Sequence, residues 1–205
     1  MGSKEVPITN PVVVSGGVGP ETPFTFNSHG GMPPVKQKVP GGVVGLTGLT
    51  WLAEVLGIEA LTLYAATELA GQVVPGTSEM TLPIKVHLIN PVLGNNCYVG
   101  SKSAPIMLHV TTGTTNPPSP NKPISGEGPK LTVLPTGVLA LDGTYVDNSF
   151  AAPAASGCVL TLLGFIPINL DGVVDLASGL PAAAGTNETV QVLHSELINS
   201  ELVYP

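Results

Sequence analysis

Arginine is absent from the 205 residues: the seven basic side chains are all lysine, set against 14 carboxylates for a formal charge of −7. This argues against nucleic acid as a partner, because a phosphate backbone requires a positive patch and base readout leans on the bidentate guanidinium missing here. Polybasic anchoring to an anionic membrane surface fails for the same reason. Charged residues of both signs amount to only 10%, against roughly 25% in ordinary soluble domains, so the surface must be mostly neutral. Long hydrophobic runs are lacking as well. The most apolar region, residues 42 to 75, is interrupted by Glu54, Glu59 and Glu68, and the run from Val159 to Leu170 is short and contains Pro167. Neither suits a helical span, which needs about 20 apolar residues; no integral membrane span is expected, and both regions read as core. The opening Met1-Gly2-Ser3-Lys4 has no apolar signal region and reads as a replacement for a native leader. Only two cysteines are present, in neither a Cys-x-x-Cys nor a Cys/His zinc pattern.

What is abundant is glycine, 25 residues, and proline, 21, a turn-rich composition that suits short strands better than long helices. The length fits one generous core. The expected fold class is mainly β: an antiparallel β-sandwich-like domain over 46–205 with two short helices, preceded by an extended Gly/Pro-rich N-terminal arm over 1–45. Such an arm is either a loose leader or a strand docked on an edge of its own domain or of a neighbouring copy.

Helical spacing of Leu49, Leu52, Ala53 and Leu56, stopped by Gly57, predicts the first helix over 48–57. Leu61, Leu63 and Ala65 then alternate with Thr62, Tyr64 and Ala66, as a strand does. The alternation is cleaner where Leu82, Ile84, Val86 and Leu88 share one face against Pro83, Lys85 and His87, and it recurs at Ile106, Leu108 and Val110. These two segments are predicted to pair antiparallel. Residues 113 to 130, with five prolines and three glycines, read as a crossing loop. A β pattern resumes from Leu131 to Leu141, and Asp142-Gly143 signals a hairpin turn into Thr144-Tyr145-Val146. The second helix is predicted over 169–178, with Asn169 as N-cap, Leu170, Val173, Val174 and Ala177 facing inward, and Gly179 and Pro181 as the stop. Residues 189 to 203 are strand-like.

No chemistry-bearing pattern stands out. His87 and His109 lie on the polar faces of the two predicted partner strands and would be close in one register, but a metal site needs a third ligand that the sequence does not dictate. His29 beside Gly30-Gly31 and His194 near Glu196 are weaker candidates. Asp171 and Asp175, one helical turn apart, form either a hard-cation pair or, more simply, a solvated face with mild repulsion. Asp142, Asp147 and Asn148 lack the dense oxygen spacing of a calcium loop, and Gly16-Gly17-Val18-Gly19 lacks the lysine of a phosphate loop. Ser15-Gly16-Gly17 and Ser125-Gly126 are ordinary turns, with no Gly-x-Ser-x-Gly elbow. Asn187-Glu188-Thr189 matches an N-glycosylation acceptor, informative only in a eukaryotic secretory host. No catalytic residue, metal ligand or cofactor is assigned. Cys97 and Cys158 are either two free thiols or a pair formed in an oxidising compartment; the polar flanks Gly94-Asn95-Asn96 and Tyr98-Val99-Gly100 favour the pair.

The run Leu82-Pro83-Ile84-Lys85-Val86-His87-Leu88-Ile89-Asn90-Pro91-Val92-Leu93-Gly94-Asn95-Asn96-Cys97-Tyr98-Val99-Gly100-Ser101 resembles a group of uncharacterised secreted proteins of actinobacteria. The likeness continues through Thr111-Thr112-Gly113-Thr114-Thr115, Asn121-Lys122-Pro123-Ile124-Ser125-Gly126, Asp147-Asn148-Ser149-Phe150-Ala151-Ala152-Pro153 and Gly157-Cys158, ending near Gly185. It covers about half the chain and leaves the first 80 residues poorly matched. What it implies is export and a Cys97–Cys158 disulfide; it brings no activity or site. The expected function is therefore that of a secreted, non-catalytic structural or interaction protein of the cell surface, self-assembling through its N-terminal arm into a homo-oligomer or meeting another surface protein. The alternatives are a binding module for an apolar ligand such as a lipid, lined by residues 43–70 and 159–180, and a hydrolase of unrecognised type.

Overall fold

The structure is a computed structural model that describes residues 2–15, 31–40, 42, 62–76 and 78–198. The helix expected over 48–57 and His29 lie outside these residues. The described chain is mainly β, an antiparallel curled sheet with one helix; the expected pair of packed sheets is not seen among the described residues. Ten strands form one antiparallel sheet in the order β1 (Lys36–Lys38), β2 (Tyr64–Leu69), β4 (Glu79–Ile89), β6 (Ile106–Thr111), β8 (Leu139–Asp147) and β12 (Thr189–Leu197). Off this path β3 (Val74–Pro75) and β5 (Tyr98–Val99) pair with β4, β9 (Ala155–Ser156) pairs with β5, and β7 (Glu127–Val133) pairs with β8. Two further strands, β10 (Val159–Leu162) and β11 (Ile166–Asn169), make a separate hairpin. Loop residues and a helix α1 (Asp171–Ser178), through Phe150, Leu170, Val174 and Ala182, join the strand residues in one buried cluster.

The core grows from the alternation in β4 and β6. Leu82 stands opposite Leu108 and Ile84 opposite Ile106, all four buried, while Met107 and His109 face out. β4 is long enough to be shared: its first half pairs with β6, and its second half with β5, through Val86–Val99 and His87–Tyr98. The turn leaving β4 is fixed by Asn90, whose side chain accepts from Val92 N–H and donates to the Thr62 carbonyl. Leu93 and Cys97 follow into the interior.

The described residues of the N-terminal segment make contacts within their own chain. Ser3 N–H donates to the Ser178 carbonyl, and the buried Gln37 side chain accepts from the Thr9 and Asn10 N–H groups and donates to the Asn10 carbonyl. β1, within the 1–45 region, is an edge strand of the main sheet through Gln37–Ala65.

Four local expectations differ from the structure. Asp142-Gly143 is not a turn but the middle of β8, flanked on both sides by strands. Gly143 suits the close approach of β7, since a Cβ there would make a tight contact 3.2 Å from the Glu127 carbonyl oxygen. The turn falls earlier, where Gly137 N–H bonds the Leu134 carbonyl, and Pro129, counted as loop, lies within β7 beside a bulge between Glu127 and Lys130. α1 begins one residue later than expected, at an N-cap Leu170, and the Asn169 side chain accepts from Asp171 N–H from outside. The run Val159–Leu170, read as core, is mostly an exposed hairpin; only Leu170 is buried.

Cys97 and Cys158 are bonded, with Cα atoms 4.1 Å apart and both residues wholly buried. The polar flank of Cys97 is therefore a surface lid over an interior sulfur. The bond adjoins the β5–β9 ladder, and Gly157, at φ 73°, has its Cα packed so closely on the Asn96 carbonyl that no side chain would fit. With a sequence separation of 61, the chain-entropy model assigns the bridge about 4 kcal/mol. Urea unfolding with and without reductant is expected to show a loss of that order; an unchanged midpoint would mean that the bond constrains nothing.

Candidate functional site

The sequence candidates are scattered and do not converge on one site. His87 and His109 do not meet. His87 opposes Tyr98 and His109 opposes Thr81, six positions apart along β4, which is roughly 20 Å at strand spacing. His87 belongs instead to a cluster on the polar face. Its Nε2 donates to the Asn95 carbonyl at 3.1 Å, its ring stacks on Tyr98 with centroids 4.4 Å apart, and Lys85 Nζ lies over the Tyr98 ring and 2.8 Å from Glu68 Oε2. The Glu68 carboxylate, hydrogen-bonded to the ammonium, holds Lys85 above its ordinary pKa. Among the described residues no group of three or more His, Cys, Asp or Glu is gathered as a metal site.

His109 opens onto a polar cleft that also holds Thr81, Asp147 and Ser149. A hydroxyl, an imidazole and a carboxylate thus converge, but not in the order that acyl transfer uses. Ser149 Oγ donates to Asp147 Oδ1, and Asp147 Oδ2 accepts the backbone N–H of His109, not its ring; the ring meets Thr81 Oγ1 at 3.2 Å. Asp147, almost wholly buried, is committed to holding the β6–β8 junction.

Asp171 and Asp175 are not a solvated face. Asp171 Oδ1 accepts from Cys158 N–H and Asp175 Oδ1 from Ala155 N–H, both at 2.7 Å. One turn of α1 thereby clasps the strand that leads to the disulfide. Asn187 is buried, donating to the Phe150 and Ala183 carbonyls and accepting from Gly2 N–H, so it is closed to glycosylation in the folded chain. Asn121 and Asn148 extend the same amide network through the Asn148, Asn187 and Lys122 carbonyls.

The most conspicuous feature of the surface was not among the candidates. β7, β8 and β12 form a three-stranded blade whose rows read Leu131–Leu141–Ser195 and Val133–Leu139–Leu197 on one side and Lys130–Asp142–His194 on the other. Leu131 and Val133 are 61% and 68% exposed. The β10–β11 hairpin presents Leu163 and Phe165 at its tip, 81% and 72% exposed. Leu163 holds a left-handed φ of 53°, a conformation that costs a leucine about 1–2 kcal/mol and that glycine or asparagine adopts more cheaply. Monomeric surfaces seldom gather apolar groups in this way; contiguous patches mark interaction sites.

No family profile matches the chain, and no curated protein or solved structure is significantly similar to it.

Two outcomes test these assignments. Asp175→Ala strands the N–H of buried Ala155 and is expected to cost about 1–3 kcal/mol in urea unfolding, where a merely solvated pair would gain slightly from lost repulsion. His194, bonded to Asp142 at 2.6 Å and 3.5 Å from Glu196, has its pKa raised above 6.5, chiefly by Asp142. The favourable interaction is fully present below 6.5 and is lost as pH rises through the higher folded value. NMR titration should find that raised value and see it fall in Asp142→Asn; an imidazole insensitive to that change would refute the pairing.

Proposed function

We propose that this is an exported, non-catalytic structural or interaction protein of a cell surface, which works by contact with copies of itself or with another surface protein. The observation that carries this reading is the pair of projecting apolar strand groups. Exposing Leu131, Val133, Leu163 and Phe165 on a domain this poor in charge invites association, and Leu163 keeps its side chain at a backbone position that disfavours it. Strain retained at an exposed tip points to contact, not to folding.

Export is supported by the disulfide, since such bonds persist in oxidising compartments. The likeness of residues 82 to 185 to secreted actinobacterial proteins points the same way. No helix among the described residues is long and apolar enough to cross a membrane, which leaves strands unaddressed. We take the blade and hairpin, not the N-terminal segment, as the associating surfaces because described residues of that segment have hydrogen-bond partners within the chain.

The test is mass in solution. Light scattering of the intact chain should show association, reduced by Leu131→Ser/Val133→Ser and by Leu163→Ser/Phe165→Ser. Because these side chains are exposed, the unfolding midpoint should move by no more than about 0.5 kcal/mol. Association indifferent to both pairs of changes would contradict the reading.

A further inference from the structure

Of the strands longer than two residues in the main sheet, β1, β7 and β12 each have a single strand partner among the described residues. An unpaired strand edge is a template for another chain, and proteins usually guard it with lysine, proline, bulges or a covering segment. β1 is Lys36-Gln37-Lys38, and the Asn10 side chain donates to its Lys36 carbonyl. β7 carries Gly128, Pro129, Lys130 and a bulge. β12, Thr-Val-Gln-Val-Leu-His-Ser-Glu-Leu, has nine residues with no lysine, proline or bulge, and among the described residues no strand pairs with its outer edge.

Its sequence is also self-complementary. From Val192 to Ile198 it reads apolar, apolar, His194, Ser195, Glu196, apolar, apolar. Residues directly opposite in an antiparallel pair share a face and lie close enough to interact, opposite charges favourably and like charges unfavourably. Two copies of β12 related by a two-fold axis at His194 or Glu196 would set like against like, and an axis at Leu193 would bring no charges together. An axis at Ser195 sets His194 against Glu196 of the second copy, Leu193 against Leu197 and Val192 against Ile198. In that register the row Lys130–Asp142–His194 continues into Glu196 of the second copy, alternating in sign across four strands when His194 is protonated. Val192, 83% exposed, is covered.

We infer that β12 is the joint of a symmetric dimer, in which two copies pair antiparallel, edge to edge, about an axis through Ser195. The inference rests on the contact reading above and names a partner, a second copy of this chain, and a register. The joint uses the strand edge and its charged face, while the apolar face of Leu131 and Val133 remains available on both halves of the extended sheet.

The register is tested with cysteines and the edge with lysine. Ser195 is exposed, so Ser195→Lys leaves the fold intact, which circular dichroism and the unfolding midpoint verify, and places two lysines on the axis. In a Leu131→Ser/Val133→Ser/Leu163→Ser/Phe165→Ser background, which removes the apolar contacts, light scattering from nanomolar to millimolar should show twice the chain mass at the upper concentrations and, with Ser195→Lys added, a single chain mass throughout. Under mild oxidation Ser195→Cys should migrate as a covalent dimer on a non-reducing gel, whereas Gln191→Cys, on the same face but four positions from the axis, should not. A chain that stays monomeric at every concentration, its β12 edge empty or paired within the chain, overturns the inference. So does an assembly that Ser195→Lys leaves untouched or a Gln191→Cys crosslink as efficient as that at Ser195. If the lysine has no effect while the Leu131/Val133 or Leu163/Phe165 changes abolish association, the joint is wrong and the contact function stands.

Discussion

The Cys97–Cys158 bond is the constraint on which the segment from residue 150 to 185, and the hairpin it carries, depends. Among the described residues, the segment 150–185 pairs with the other strands of the main sheet only through the two-residue β5–β9 ladder, since the Ala152–Ala182 bridge is internal to it. Bonds from Ser3, Asn121 and Asn187 hold parts of it, but a ladder so short would leave its middle free to open locally. The bridge fixes its middle to the loop after β4, and α1 reinforces the attachment with two carboxylates on the N–H groups of Ala155 and Cys158. The β10–β11 hairpin starts immediately beyond Cys158 and returns through Leu170, whose N–H bonds the Cys158 carbonyl. An apolar tip can be held out in solvent because its base is tied covalently.

Charge is scarce, and much of the work that ion pairs perform elsewhere is done by amides and single carboxylates. Gln37 holds the N-terminal segment, Asn90 the turn after β4, Asn121, Asn148 and Asn187 the crossing loop, and Asp147 the β6–β8 junction. Each satisfies backbone donors or acceptors that would otherwise be stranded, a loss larger than the net gain of an average hydrogen bond. Loops rich in proline and glycine have few backbone ladders of their own, so side chains substitute for them. The surface is left neutral, and its apolar groups stand out without a screen of lysine and arginine.

Much of the sheet was legible in the sequence. Alternation in β4 and β6 is strict because one face is buried, and their antiparallel pairing and the location of Cys97 between them agree with the pattern. Where the pattern misled, a tertiary demand had displaced a local one. Asp142-Gly143 resembles a turn, yet the glycine serves the approach of β7. Asp171 and Asp175 look solvent-facing until the strand they clasp is in place. The apolar run from Val159 reads as core because periodicity reports which residues share a face, not what covers that face. The blade was missed for the same reason: Leu131, Val133 and Leu139 alternate like any half-buried strand. The near-palindrome around Ser195 and the lack of lysine and proline in residues 189 to 197 were the available signals, and they acquire meaning only once β12 is known to be an edge.

The contact surfaces and the bridge form one argument, since a projecting hairpin is useful only if its base does not yield. Amide hydrogen exchange on the oxidised and reduced protein, resolved by residue, tests that dependence most directly. Breaking the bond should accelerate exchange at Ala155, Cys158 and Leu170 and along β10–β11, while Leu108, Val110 and the β8–β12 ladder keep their protection. Equal protection of the hairpin base in both redox states would contradict the account, for the covalent tie would then be holding nothing that the hydrogen bonds do not already hold.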